Sequence, residues 1–415
     1  MTNFDRNFSL RDMAIPGDPI YLDYHSTTPL LPEVFEAMRP YFLEKFGNAS
    51  SRSHAFGWQA AEAVDQARAS VASLLDVPPG EITFTSGATE GINFLLKGMA
   101  RGLSARGRHI VTCAAEHPAV LDTLDVLARD GYEVSILMPE RDGRLDIDRF
   151  TAALRPDTII ASVMWANNET GVISPMESLA KVCRERGVML ISDATQAVGK
   201  ITVHPKAIGV DAIALSAHKF YGPKGVGAVW VDPAWLRYKP APLLHGGGHE
   251  RGLRSGTLNV PGIVGLGAAA ALRAARMEDD ARRIGALRDR LEARILAACP
   301  ETVVNGLGAA RLPTATNLMV RFTESQAAMS RFRHRLAISS GSACSSANPE
   351  PSHVLRAMGL SVAEAKASYR FSLGAMTTEA EVDAAADLFA AAVTAHRAES
   401  PVWQMFTQGL DVSDW

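Results

Sequence analysis

Lys219 ends the segment Ser216-Ala-His-Lys219, which follows the apolar run Asp211–Leu215 and precedes Phe220-Tyr-Gly-Pro-Lys-Gly225. Strand ends of open α/β sheets face the ligand crevice, and an amine desolvated there can form a Schiff base with a carbonyl. A lysine on a surface loop would show the same local pattern, so the position needs company. Asp193 supplies it at the end of the apolar run Val188–Ser192. A carboxylate in that place can hold a pyridinium nitrogen protonated and keep its ring an electron sink; it would equally serve as a helix N-cap. Glu81–Thr85, Ser86-Gly-Ala-Thr-Glu-Gly91 and Ile92–Lys97 read as strand, small-residue turn and helix start. Free N–H groups in such a turn attract an anion such as phosphate, although the sequence is neither a P-loop nor GxGxxG. His117, in Cys113-Ala-Ala-Glu-His117, follows the strand-like His109–Thr112; an imidazole there can stack on a ring and handle protons near neutral pH. All four features fall just past strand-like runs, and together they suit pyridoxal 5′-phosphate.

The elements that must position these residues are legible as alternation. Strand candidates are 82–85, 110–113, 133–137, 158–163, 188–192, 212–215 and 227–231, with helices in the gaps, for example 119–130 and 178–186. Such alternation predicts a mostly parallel sheet covered on both faces. From about Pro261 the pattern changes: 263–298 is rich in alanine and arginine at helical spacing. Strand candidates 302–305, 315–321 and 369–372 follow, with helices near 351–358 and 379–395, which suits a smaller α+β unit. A chain of 415 residues exceeds one ordinary core, so two closely packed domains are expected: a large one over 20–262 and a small one over 263–415.

With 47% hydrophobic residues and a formal net charge of −3, the chain reads as globular, with no polyanion partner implied. No apolar stretch is long enough to span a bilayer, and Met1–Pro19 lacks the apolar core of a secretory signal. The four cysteines, Cys113, Cys183, Cys299 and Cys344, are far apart in sequence; they form no CxxC or zinc-like cluster, and a reducing cytoplasm is expected. Cys344 is the distinctive one. Its neighbours from Gly341 to Pro349 are small or turn-forming, which predicts an exposed loop where a thiolate would be a strong nucleophile.

The ordered set Ser86–Gly91, Glu116-His117, Asn167-Asn168-Glu-Thr-Gly171, Asp193-Ala-Thr-Gln196, Ser216–Lys219, Gly246-Gly-Gly-His-Glu-Arg-Gly252, Arg254-Ser-Gly-Thr257 and Ser339-Ser-Gly-Ser-Ala-Cys344 resembles the cysteine desulfurases of the Isc/NifS group. These are fold-type-I pyridoxal-phosphate enzymes, the likeness runs from about Tyr21 to the end of the chain, and the resemblance implies that residues 1–19 pack with 263–415 as the small domain. The resemblance implies a homodimeric transferase that converts L-cysteine to L-alanine and carries the sulfur as a persulfide on Cys344. An iron–sulfur scaffold protein or another sulfur acceptor would receive it. Lys219 would be the Schiff-base lysine and move the α-proton, Asp193 would bind the pyridinium, and His117 would stack on the ring as an acid/base. Gln196 would contact the phenolic oxygen. Ala88, Thr89, Ser216 and His218 would hold the phosphate, with Thr257 reaching it from a second subunit. Asn168 and Arg370 would clamp the substrate carboxylate, the latter through its bidentate fork. No metal is implied.

Some positions depart from the pattern. His25-Ser26 stands where smaller residues are commoner in the family, and Ala217 replaces a common glycine. Arg331, Arg333 and Arg335 cluster on what reads as a solvated helix face rather than a nucleic-acid patch. Trp403, Met405, Phe406, Leu410 and Trp415 near the terminus suit either an anchor on the parent domain or a docking segment; the resemblance favours docking of the scaffold. Two other classes compete with a desulfurase: a related pyridoxal-phosphate or selenocysteine lyase that does not need Cys344, and a non-catalytic binding subunit, against which the intact Lys219, Asp193, His117 and Cys344 argue.

Overall fold

The computed structural model describes residues 19–340 and 350–412; Cys344, the first eighteen residues and Trp415 lie outside the described residues. In chain order the strands are β1 (Ile20–Tyr21), β2 (Ile82–Thr85), β3 (His109–Cys113), β4 (Glu133–Leu137), β5 (Thr158–Ser162), β6 (Met189–Asp193), β7 (Ala212–Ser216) and β8 (Gly227–Val231). Then come β9 (Thr302–Asn305), β10 (Ala315–Val320), β11 (Leu336–Ala337) and β12 (Ser368–Ser372). Seven of them form one sheet in the order β2-β8-β7-β6-β5-β3-β4. Only β8 runs against its neighbours, so the sheet is mostly parallel, as the alternation predicts. Strands β3, β5, β6, β7 and β8 are buried throughout, because helices cover both faces and build a separate core on each.

A second, three-stranded antiparallel sheet, β12-β10-β9, has its own core around Leu318, Tyr369, Phe371 and Phe389. The 39-residue helix Val260–Ala298 joins the two bodies. At 1.5 Å per residue it is ~58 Å long, too long for one core. Its first half packs Val260, Ile263 and Leu266 with the large sheet, and its second half packs Ile284, Leu287 and Leu291 with the small one. Close packing against the helix Ala55–Leu75 depends on Gly267, where a Cβ would stand 2.5 Å from Ala67 Cα. The division expected at 262/263 therefore falls inside one continuous helix. Leu22, expected within the large domain, lies in the core of the small one, since β1 pairs in parallel with β11. Neither of these two-residue strands carries a period that sequence could reveal. Among the described residues no helix is long and apolar enough to cross a membrane.

The terminal aromatics fold back. Phe322 lies 5.6 Å from Trp403 and 4.6 Å from Phe406, ring centre to ring centre, and the Arg397 guanidinium sits 4.2 Å over Trp403. Trp403 and Phe406 are thus anchors on their own body, while Met405 and Leu410 remain exposed. Arg331, Arg333 and Arg335 are exposed, and Arg331 pairs with Glu399.

The Gly246–Gly252 loop is pinned from beneath. Glu250, in the left-handed region at φ 49°, takes a bidentate pair from Arg68 at 2.7 and 2.8 Å and the Phe84 N–H at 2.8 Å. Its side chain is 2% exposed, so removing one partner leaves a buried charge alone. Arg68→Met is expected to lower stability by about 3–5 kcal/mol in urea unfolding. A loss below about 1 kcal/mol would put the pair in the class of solvent-screened bridges.

Candidate active site

The carboxyl ends of the parallel strands open on one cavity of about 510 Å³. It is lined by Ala88, Thr89, His117, Asn168, Asp193, Gln196, Ser216, His218, Lys219 and Arg370, so the folded chain gathers ten of the twelve candidate residues in one place. Thr257 does not line it and is exposed; Cys344 lies outside the described residues. The lining also includes His25, Ser26, Glu169, Lys224 and His353, to which no site role was assigned from sequence. Lys224 lies five residues past Lys219 and His353 nine past Cys344, and proximity along the chain was the only signal for either.

The phosphate-type turn is set by register. Thr85 at the end of β2 and Ser216 at the end of β7 both pair with Gly227 at the start of β8. A Cβ at Gly227 would stand 2.4 Å from Leu215 O and 2.7 Å from Gly87 Cα, so only glycine lets the turn lie this close. Gly87, at φ 153°, precedes the helix Ala88–Asn93, which continues through a wider turn at Phe94–Gly98 into Met99–Leu103. Glu90 Oε2 accepts the Ser86 N–H at 2.8 Å, and Arg254 Nε donates to Glu90 Oε1 at 2.9 Å. The second glycine-rich loop is thereby tied to the first.

Lys219 follows β7 on a single 3₁₀ turn. Its Nζ donates to the carbonyls of His25 at 2.6 Å and Ser26 at 2.8 Å. Asp193 closes β6, and its Oδ1 accepts the Thr195 N–H at 2.9 Å. His117 caps the helix Pro118–Arg129: its Nδ1 accepts the Ala119 N–H at 3.0 Å, which leaves Nε2 as the protonated nitrogen of the neutral ring. Burial holds His117 below the ordinary histidine range, against the pull of Asp193. Burial, then Lys219 and Lys224, brings His218 down to about 4. His25 is held well below its usual value by burial and then Lys200, and its Nε2 and Nδ1 contact Thr314 Oγ1 at 2.9 Å and Asn168 O at 3.2 Å. These three rings are neutral at neutral pH.

Arg370, on β12, is 2% exposed. Its Nη1 donates to Asn168 O at 2.9 Å and its Nη2 to Asp23 Oδ1 and Ser26 Oγ, both at 2.8 Å. Arg370 Nε, Asn168 Oδ1, Glu169 Oε1 and Thr195 Oγ1 are buried with no partner among the described residues, although all four residues line the cavity. Buried polar atoms are normally satisfied, so these await a polar ligand. Burial weakens the charge of two carboxyls in this region. Burial pushes Glu116 well above the ordinary range and raises Glu169, which favours their protonated forms. Of the cysteines, Cys113, Cys183 and Cys299 are buried. Burial pushes the Cys113 thiol up to about 12 and raises the other two, so none of the three is a ready thiolate.

The class-V aminotransferase family model matches residues 20–385. The cysteine desulfurase IscS of Anaeromyxobacter dehalogenans is 51% identical over 401 residues, 95% of this chain and 97% of that protein. A solved NifS-like protein superimposes with a TM-score of 0.84 at 33% identity, covering 91% of this chain and 99% of that one. A structure described as SspA in complex with cysteine gives 0.75 at 35% identity, covering 85% and 98%. With this fold and this strand-end site, the chain belongs to the class-V aminotransferase family. Within that family it belongs with the cysteine desulfurases of the IscS and NifS-like group.

Glu116 offers a pH test of the site's interior. Its Oε1 accepts the Met164 N–H at 2.7 Å and its Oε2 has no partner among the described residues. The unfolded chain loses the Glu116 proton near pH ~4.3, while the folded protein keeps it to a much higher pH. Wild-type stability therefore falls as pH rises from the unfolded value through the folded one. Glu116→Gln removes that slope, and its stability relative to wild type should improve between about pH 5 and about pH 8 in urea unfolding. A difference flat with pH would mean that Glu116 titrates like a solvated carboxylate.

Proposed function

We propose that this protein is a pyridoxal-phosphate-dependent cysteine desulfurase that converts L-cysteine to L-alanine and passes the sulfur on as a persulfide on Cys344. The observation that carries the reading is the convergence of Lys219, Asp193 and His117, from three parallel strand ends, on one cavity beside the Ser86–Gly91 turn. The residues that would hold the cofactor fit its chemistry. Ala88, Thr89, Ser216 and His218 would take the phosphate, Asp193 the protonated ring nitrogen, Gln196 the phenolic oxygen and His117 the ring face. When bound, the cofactor supplies an electron sink for charge that develops on the substrate carbons.

The chain's own groups do the rest. The Lys219 amine, held by two carbonyls, is the base assigned to the α-proton. His117 can hold or move a proton at Nε2. Arg370 Nε, which has no partner among the described residues, and the Asn168 Nδ2 amide would donate to the substrate carboxylate. L-cysteine as substrate is supported by the cysteine complex of SspA. Cys344 Sγ then takes the sulfur: an S–S bond forms, the substrate C–S bond breaks, and the carbon skeleton leaves as alanine. The high thiol values of the three buried cysteines support Cys344 in this role. An iron–sulfur scaffold protein is the proposed acceptor, in a cytoplasmic setting, with Met405 and Leu410 as exposed tail positions available to it.

The chemistry is tested with purified protein and L-cysteine, following alanine and, with a thiol reductant, sulfide. Wild type is expected to form both in equal amounts and Cys344→Ala neither. Full activity in Cys344→Ala would replace this reading with a lyase that does not use the thiol.

The proposed assembly is a homodimer. Phe42, Leu43 and Phe46 are 57%, 72% and 67% exposed, and Phe46 stacks at 5.5 Å on Phe56, itself 50% exposed; a second copy would cover such exposed apolar side chains. Thr257, exposed and away from its own cavity, would reach the partner's phosphate. Leu43→Asp combined with Phe46→Asp should raise the dimer dissociation constant by about 30-fold or more in sedimentation experiments. A wild type that sediments as a monomer would remove the second subunit from the site.

A further inference from the structure

Lys200 takes no part in the chemistry above, yet it lies directly behind the cavity. It is 7% exposed. The turns after β6, with Val198 N–H bonded to Ala194 O and Lys200 N–H to Ala197 O, bring it one helical turn past Gln196. Its Nζ donates to Gln196 Oε1 at 2.8 Å and to Gln196 O at 3.2 Å. On the other side of the carboxamide, Gln196 Nε2 donates to His25 O at 2.9 Å. A glutamine amide can turn over about its last torsion at little cost, so something must decide which end faces the ligand. The His25 carbonyl favours the observed face, but it is shared with Lys219 Nζ. The Lys200 side chain bonds only to Gln196 among the described residues.

We infer that Lys200 is a positioning residue: by donating to Oε1 it keeps that oxygen away from the cavity, so that the Nε2–H end of Gln196 meets the cofactor's phenolic oxygen. The inference rests on the cofactor reading above. Burial, and then the charges of Lys219, Arg273 and Arg370, hold Lys200 well below the ordinary lysine range. That lowers the charge placed behind the site, while the amine remains a donor to both Gln196 oxygens.

The test compares Lys200→Met, Gln196→Ala, the pair, and Lys200→Arg, which restores a donor. In protein loaded with pyridoxal phosphate, the pH midpoint of the visible absorption band is titrated. Lys200→Met and Gln196→Ala are expected to shift it alike, the pair no further than Gln196→Ala alone, and Lys200→Arg should return it toward wild type. A wild-type midpoint in Lys200→Met, or shifts that add in the pair, would overturn the inference. In protein stripped of cofactor, the Gln196 side-chain amide is followed by ¹⁵N NMR, assigned by its disappearance in Gln196→Ala. Lys200→Met is expected to move its two proton resonances and speed their exchange; unchanged resonances would also overturn the inference. A wild-type chain that takes up no pyridoxal phosphate would refute the cofactor reading, and the NMR measurement would then decide the orientation of Gln196 by itself.

Discussion

The direction in which the strands of the large sheet run is the constraint on which the site depends. β3, β6 and β7 are parallel, so the segments that follow them leave the sheet at one edge and carry His117, Asp193 and Lys219 there together. The antiparallel β8 completes the arrangement. Its first residue, Gly227, pairs with the last residues of both β7 and β2, which seats the Ser86–Gly91 turn beside Lys219. Reversing one strand would send its functional side chain to the opposite edge, about 15–20 Å away.

Burial then sets the charge of what has been gathered. Carboxyls at Glu116 and Glu169 are pushed toward their protonated forms, and the imidazoles of His25, His117 and His218 toward their neutral ones. Arg370, Asp193 and Lys219 line the same cavity, with Lys224 at its rim. Burial thus pushes several of the cavity's own acids and bases toward their neutral forms and lowers the background charge that a polar ligand would meet.

The second body contributes through long-range contacts. Arg370 comes from β12 in the small sheet, yet it bonds to Asn168 O from the loop after β5 and to Ser26 Oγ near the N-terminal strand. The stretch from Ile20 to Thr28 crosses between the two cores: β1 pairs with β11, and a few residues later His25 and Ser26 present their carbonyls to Lys219. The helix Val260–Ala298 holds the two bodies in register by sharing its faces between their cores.

The sequence alone determined the elements and the identity of the main chemical groups. Apolar runs of four to six residues and the punctuation between them were enough to place every strand of the large sheet within about two residues. The residues just past the runs, Lys219, Asp193, His117 and Ser86–Gly91, were visible because the parallel α/β architecture keeps its chemistry at strand ends. Tertiary structure decided what local pattern does not encode. It sent Leu22 into the small core, anchored Trp403 and Phe406 on Phe322, excluded Thr257 from its own cavity, and placed the His25 carbonyl against Lys219. The physical reason is that periodicity and composition record whether a side chain is buried and on which face. Which group stands opposite it depends on contacts between segments far apart in the chain, and these exist only once the two cores have packed.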